Sequence, residues 1–120
     1  MPAPPAFRTL TVEEVGDTTV VVFVDTRITE ELNIQAVGDE LLQLVEELGR
    51  RRLLLDFENV AFISSGILGK LTVVHHKLQA VQGKMVLCGV RADILTPFKI
   101  TRLDRTLTIV PDRAAGLQAF

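Results

Sequence analysis

At 120 residues with an apolar share of 48%, the chain is long enough to bury one core and too hydrophobic to be a disordered tail. A net charge of −2 with no basic cluster argues against direct nucleic-acid binding, and six Phe without Trp or Tyr leave little for base stacking or sugar recognition. The apolar stretches fall far short of a membrane span, no signal-peptide pattern opens the chain, and Cys88 is the single cysteine, so no internal disulfide and a cytoplasmic location are expected.

Met1 to Ala6 carries three prolines and is expected to be a flexible, frayed lead-in, leaving 7–120 as a single domain. Phe7 to Val15 alternates loosely (Phe7, Leu10, Val12, Val15) and predicts a strand. Gly16-Asp17 signals a turn. Thr18 to Val24, dominated by β-branched residues, is the strongest strand signal in the chain. So short a connection predicts an antiparallel hairpin. Asp25 to Thr29 is polar and predicts a loop. Glu30 and Glu31 suit a helix first turn, and Ile34, Val37, Leu41, Leu44, Val45 and Leu48 hold a helical stripe until Gly49 stops it. Arg50-Arg51-Arg52 then reads as a solvated connector.

The stretch Leu53 to Lys70, LLLDFENVAFISSGILGK, is where function is expected to sit. Leu53-Leu54-Leu55 is a short apolar run of the kind covered on both faces of a sheet, closed by Asp56 and Phe57. Glu58-Asn59 breaks it, and Val60-Ala61-Phe62-Ile63 leads into Ser64-Ser65-Gly66. Serine is a preferred N-cap because its hydroxyl accepts from free first-turn amides. Ile67, Leu71, Val74, Leu78 and Val81 follow at helical spacing, so the stretch predicts strand, turn, serine, helix. Gln82-Gly83 turns the chain into a buried strand, Lys84 to Val90. Ala92 to Ile100 carries a short helical pattern in which Pro97 is tolerable only in the first turn. Leu107 to Val110 predicts a brief strand, and Pro111-Asp112 caps a last helix through Leu117 to Phe120.

The order is therefore ββαβαβαβα, an α/β fold with a mostly parallel core sheet and one antiparallel strand from the hairpin. Val20, Val22, Leu53, Leu55, Val86 and Leu87 are expected inside the sheet, with Ile67, Leu71, Val74 and Leu78 packed on it.

Several residues invite chemistry. Ser64 with His75 or His76 suggests a serine hydrolase, but no G-x-S-x-G elbow is present and the histidines lie roughly 16 Å further along the helix. The adjacent histidines diverge by about 100° around a helix, so they make no metal site. Asp56 at a strand end suggests a receiver phosphoacceptor, but that fold begins βα and needs an acidic pair after its first strand. Gly66 and Gly69 make no phosphate loop, since Gly69-Lys70 is followed by Leu71. No cofactor is expected, and Cys88 reads as a small core residue. What remains is the helix face opposite the stripe. Ser65, Gly69, Thr72 or Val73, and His76 recur there at helical spacing, small near the N-terminus, which lets another protein approach closely.

Here LLLDFENVAFISSGILGKL resembles the signature of STAS domains of the bacterial anti-sigma factor antagonist type, and the element order resembles theirs across nearly the whole chain. The family motif is a strand ending in Asp, an apolar link, and Asp-Ser-Ser-Gly or Asp-Ser-Gly opening a helix. The resemblance matches Asp56 to the strand-end Asp, Ser64 to the serine phosphorylated by a partner kinase, and Ser65-Gly66 to the residues after it. Ile63 stands where the family usually has Asp, and Gly69 falls one place later than usual. The resemblance implies a non-enzymatic interaction module in a partner-switching pathway that controls transcription. Its partners would be an anti-sigma factor or GHKL-type serine kinase and other STAS-pathway proteins. Asp56, Ile63, Ser65, Gly66, Gly69, Thr72 and His76 would then line the partner-binding surface around Ser64. The alternative within this class is a non-phosphorylated scaffold subunit of a larger signalling assembly.

Overall fold

Gly16 is where the chain first reverses. Its φ of +60°, a conformation that carries no Cβ penalty in glycine, closes a hairpin between β1 (Leu10–Val15) and β2 (Thr18–Phe23). The two strands pair antiparallel, Leu10 opposite Phe23 and Val15 opposite Thr18. A computed structural model describes residues 7–120, and the expected lead-in at 1–6 lies outside the described residues.

The chain continues through β3 (Arg27–Ile28), α1 (Glu31–Glu46), β4 (Arg52–Asp56), β5 (Phe62–Ile63) and α2 (Ser65–Ala80). It ends through β6 (Lys84–Cys88), α3 (Ala92–Ile100), α4 (Leu103–Thr106), β7 (Thr108–Val110) and α5 (Arg113–Leu117). The main sheet has the order β1-β2-β4-β6-β7, parallel from β2 onward, and β3 pairs with β5 as a separate parallel ladder. This is the predicted mixed sheet, with two small strands added.

Strand parity sorts the core into two faces. Val21, Phe23, Leu53, Leu55, Met85 and Leu87 point to one face, where Leu41 and Leu44 of α1, Ile67, Leu71, Val74 and Leu78 of α2, and Phe98 of α3 cover them. Phe23, Phe57 and Phe98 meet there, with ring centroids 4.7 Å and 6.4 Å apart. Val20, Leu54, Val86 and Cys88 point to the other face, under Val110, Leu117, Ala119 and Phe120. The sequence expectation mixed the faces: Val20 and Val86 belong to the second, and Val22 beside them is only half-buried. Gly116 lets α5 approach that face, since a Cβ there would stand 2.5 Å from Leu54 Cδ1.

Other expectations are corrected by burial. The polar stretch Asp25 to Thr29 holds β3, because its one large apolar side chain, Ile28, is fully buried. Val81 drops out of the helical stripe: α2 ends at Ala80 and Val81 stands 39% exposed, while Leu68, outside the predicted stripe, is buried. Pro97 sits in the second turn of α3, where its missing N–H frees only the carbonyl of exposed Asp93, and buried Ile94 and Phe98 hold the helix. The last helix ends at Leu117, short of Phe120, although Asp112 caps it as expected by accepting from Ala115 N at 2.8 Å. Glu40, on the buried side of α1, accepts from Thr9 N and Thr9 Oγ1, a tether that periodicity does not reveal.

Leu71→Ala, which truncates a fully buried side chain on the sheet-facing side of α2, is expected to lower unfolding free energy by about 2–5 kcal/mol in urea titrations. Val73→Ala on the outer side should change it by no more than about 0.5 kcal/mol. Equal losses would contradict the orientation of α2.

Candidate functional site

The start of α2 is fixed from outside the helix. Ala61 N and Phe62 N donate to Thr26 O at 2.8 and 3.2 Å, and Ser64 N donates to Ile28 O at 3.2 Å. β3 and β5 align Arg27 with Phe62 and Ile28 with Ile63. Ile28 and Ile63 turn inward onto the core, while Arg27 and Phe62 face outward. Arg27 and Phe62 escaped the sequence reading because a two-residue strand has too few positions to reveal its alternation.

Ser64 is the N-cap residue, extended at φ −109° and ψ 166°. Its hydroxyl makes no capping hydrogen bond, contrary to the reason for which serine was expected there. It is half-buried and lines an open depression of about 380 Å³ between the N-terminal ends of α1 and α2, with Thr29, Glu31, Ile34, Gln35, Gly66 and Lys70. Two glycines bring these helices together. A Cβ on Gly66 would stand 3.2 Å from Ile34 Cδ1, and one on Gly38 would stand 2.8 Å from Lys70 Cδ, so the Lys70 stem lies across α1.

The residues expected at a partner surface divide. Ser65, Gly69 and His76 are exposed along one line of α2, and nothing lies within 4 Å of a Cβ built on Gly69. Of Thr72 or Val73, Val73 is 45% exposed, while Thr72 is half-buried and donates to Leu68 O at 2.9 Å. Gly66 is exposed but turned toward α1. Ile63 packs against the core.

Asp56 does not belong to this surface. Parity sends its side chain to the sheet's second face, where it is 7% exposed. Oδ1 accepts from Glu58 N at 2.9 Å, and Oδ2 accepts from Arg113 Nε and Nη2 at 3.2 and 2.9 Å. That hydrogen bond with Asp56 raises the Arg113 pKa above its usual value. Arg113 also lies 3.7 Å from Glu13 of β1, so Asp56 pins the start of α5 across the sheet. Neighbouring Cys88 is pushed up to about 11 by burial first and the charge of Asp56 second, so it stays an unreactive thiol at neutral pH.

His75 is half-buried and His76 exposed. Both stand on the fourth turn of α2, and among the described residues the one buried side-chain polar atom without a partner is His75 Nδ1. No group of three or more His, Cys, Asp or Glu able to hold a metal exists among the described residues, and no described helix is long and apolar enough to cross a membrane.

Residues 9–116 match the STAS domain family, and the chain belongs to that family. Within it, the chain is similar to BtrV of Bordetella bronchiseptica, named as a candidate anti-sigma factor antagonist: 31% identical over 88 residues, covering 73% of this chain and 75% of BtrV. An anti-sigma factor antagonist from Mycobacterium paratuberculosis has the same fold, with a TM-score of 0.81 at 23% identity over 92% of each chain. The Bacillus cell-fate determinant SpoIIAA in its phosphorylated form gives 0.69 at 17% identity, over 92% of this chain and 99% of its own. At these identities the two structures speak for the fold alone.

Burial, with His76 adding its charge, lowers the His75 pKa below the ordinary 6.5. The unfolded chain therefore takes up the proton first, and stability is full above about pH 6.5 and falls as pH drops toward the folded value. Urea unfolding at about pH 7.5 and about pH 5.5 should show a smaller loss in His75→Gln than in wild type. Equal losses would contradict this origin.

Proposed function

We propose that this protein is an anti-sigma factor antagonist in the cytoplasm, a partner-switching module that works without catalysis of its own. Unphosphorylated, it binds an anti-sigma kinase of the GHKL type and so frees a sigma factor; phosphorylation at the start of α2 ends that binding. The observation that carries this reading is the flat line of Ser65, Gly69 and His76 running from a serine pair at the helix start. The family match and the name of BtrV support an anti-sigma partner for that line.

The electrostatics suit a switch. Phosphate adds nearly two negative charges, and the first turn of a helix offers free amides at the positive end of the dipole. The Ser64 hydroxyl leaves those amides uncapped. The domain therefore tolerates the group, while a partner docked on the same turn meets new charge and bulk. The match of Ser64 to the serine of the family motif supports Ser64 as the acceptor. Exposure supports a second reading in which Ser65 accepts it, because Ser65 is open to a kinase while Ser64 is half-buried beside α1. Ile63 in place of the family's Asp favours the other alternative, a scaffold subunit that binds without being phosphorylated.

Affinity capture with unmodified protein should recover a GHKL-type kinase, and incubation with that kinase should place one phosphate on the first turn of α2. Ser64→Ala should abolish it, or Ser65→Ala on the second reading. Ser64→Asp should shift folding stability by no more than about 1 kcal/mol and weaken binding by about 2 kcal/mol, a roughly thirtyfold loss. No phosphate in wild type together with wild-type binding by Ser64→Asp would leave only the scaffold. Esterase or phosphatase turnover lost in Ser64→Ala would instead make the protein an enzyme.

A further inference from the structure

Phe62 is the one phenylalanine among the described residues that is exposed, at 49% of its surface. Burial in the core does not explain it, and the fold does nothing to hide it. Across the small parallel ladder its partner is Arg27, also exposed, whose guanidinium carbon lies 4.3 Å from the ring centroid. A stacked guanidinium keeps its hydrogen-bond donors free in its own plane, where they fit a carboxylate in bidentate fashion. The ion pairs among the described residues use Arg50, Lys77 and Arg113, so Arg27 holds its charge without a carboxylate of this chain.

We propose that the stacked Phe62–Arg27 pair anchors the partner, taking a protein segment that presents a carboxylate beside an apolar side chain. The inference rests on the proposed function and names the chemistry of the segment bound. Charge complementarity selects the carboxylate, and the uncovered ring selects its apolar neighbour. The pair is preorganised, because backbone hydrogen bonds from Ala61, Phe62 and Ser64 to Thr26 and Ile28 lock the two strands together. It is also continuous with the serine pair, since Phe62 lies two residues before Ser64 on the same segment. A phosphate there would compete for the Arg27 guanidinium and repel the incoming carboxylate. That gives the switch a target more specific than bulk at a helix end.

The test is photo-crosslinking in cells of the source organism with a photoreactive phenylalanine analogue at position 62, and separately at positions 73 and 100. The attached peptides are then sequenced by mass spectrometry. Val73 and Ile100 are both exposed, the first on the outer line of α2 and the second on α3. The expected result is an adduct at 62, absent at 100, on a peptide carrying Asp or Glu next to an apolar residue. Its yield should fall about tenfold or more in Arg27→Glu and much less in Arg27→Lys, with circular dichroism unchanged in both. An adduct at 73 without one at 62 would overturn the anchor and leave the proposed function standing. Adducts at neither would overturn both. A peptide lacking a carboxylate, equal labelling at 100, or a yield indifferent to Arg27→Glu would overturn the anchor.

Discussion

The parallel pairing of Arg27–Ile28 with Phe62–Ile63 is the constraint on which the rest of the site depends. Ser64, the N-cap, lacks a side-chain cap bond, so its hydroxyl does not fix the start of α2. Its position comes instead from a segment far earlier in the chain, through the Ser64 N–H to Ile28 carbonyl hydrogen bond and through Ile28 itself, buried under the helices. A ladder so short is marginal alone. It persists because Ile28 and Ile63 are part of the main core, so breaking it means exposing apolar surface. The same alternation that sends these isoleucines inward sends Arg27 and Phe62 outward.

Fold and surface are thereby separated. Leu68, Leu71, Val74 and Leu78 bind α2 to the sheet, and Gly38 and Gly66 settle it against α1. Ser65, Gly69, Val73 and His76 contribute little to that packing. Asp56 and Arg113 tie the opposite face together, remote in role from the serine pair although the motif sets Asp56 and Ser64 in one stretch. On the proposed function, a charge added at the helix start would alter what the surface binds while the core below is left alone. In the proposed switch, this separation lets one phosphate report to a partner without unfolding the domain.

Much of this was legible in the sequence, for physical reasons. Long apolar segments announce themselves: the stripe from Ile34 to Val45 and that from Ile67 to Leu78 each bury one helical face with a regular period, and the β-branched run at Thr18 is apolar enough to be buried on both faces of its strand. Gly16, Gly49 and Asp112 marked turns and a cap because few residue types suit those positions. The β3–β5 pair was hidden because two residues carry no period and Ile28 sits in a polar stretch. Composition did not separate the sheet faces, since both sides of β4 and β6 are apolar. The motif's linear proximity set Asp56 on the partner surface, whereas parity turns it away into the grip of Arg113, a residue remote in sequence. The Phe62–Arg27 stack lay beyond reach for the same reason: it exists only once β3 and β5 are paired.

The central claim is that a phosphate at the start of α2 removes binding without removing the fold. The most direct measurement takes one preparation of the protein, unmodified and phosphorylated by its kinase, and compares calorimetric affinity for that kinase and thermal unfolding side by side. The account predicts an affinity at least about tenfold weaker in the phosphorylated form, with a Tm that moves by no more than about 5 °C. Equal affinities, or a Tm collapse that accounts for the lost binding, would contradict it.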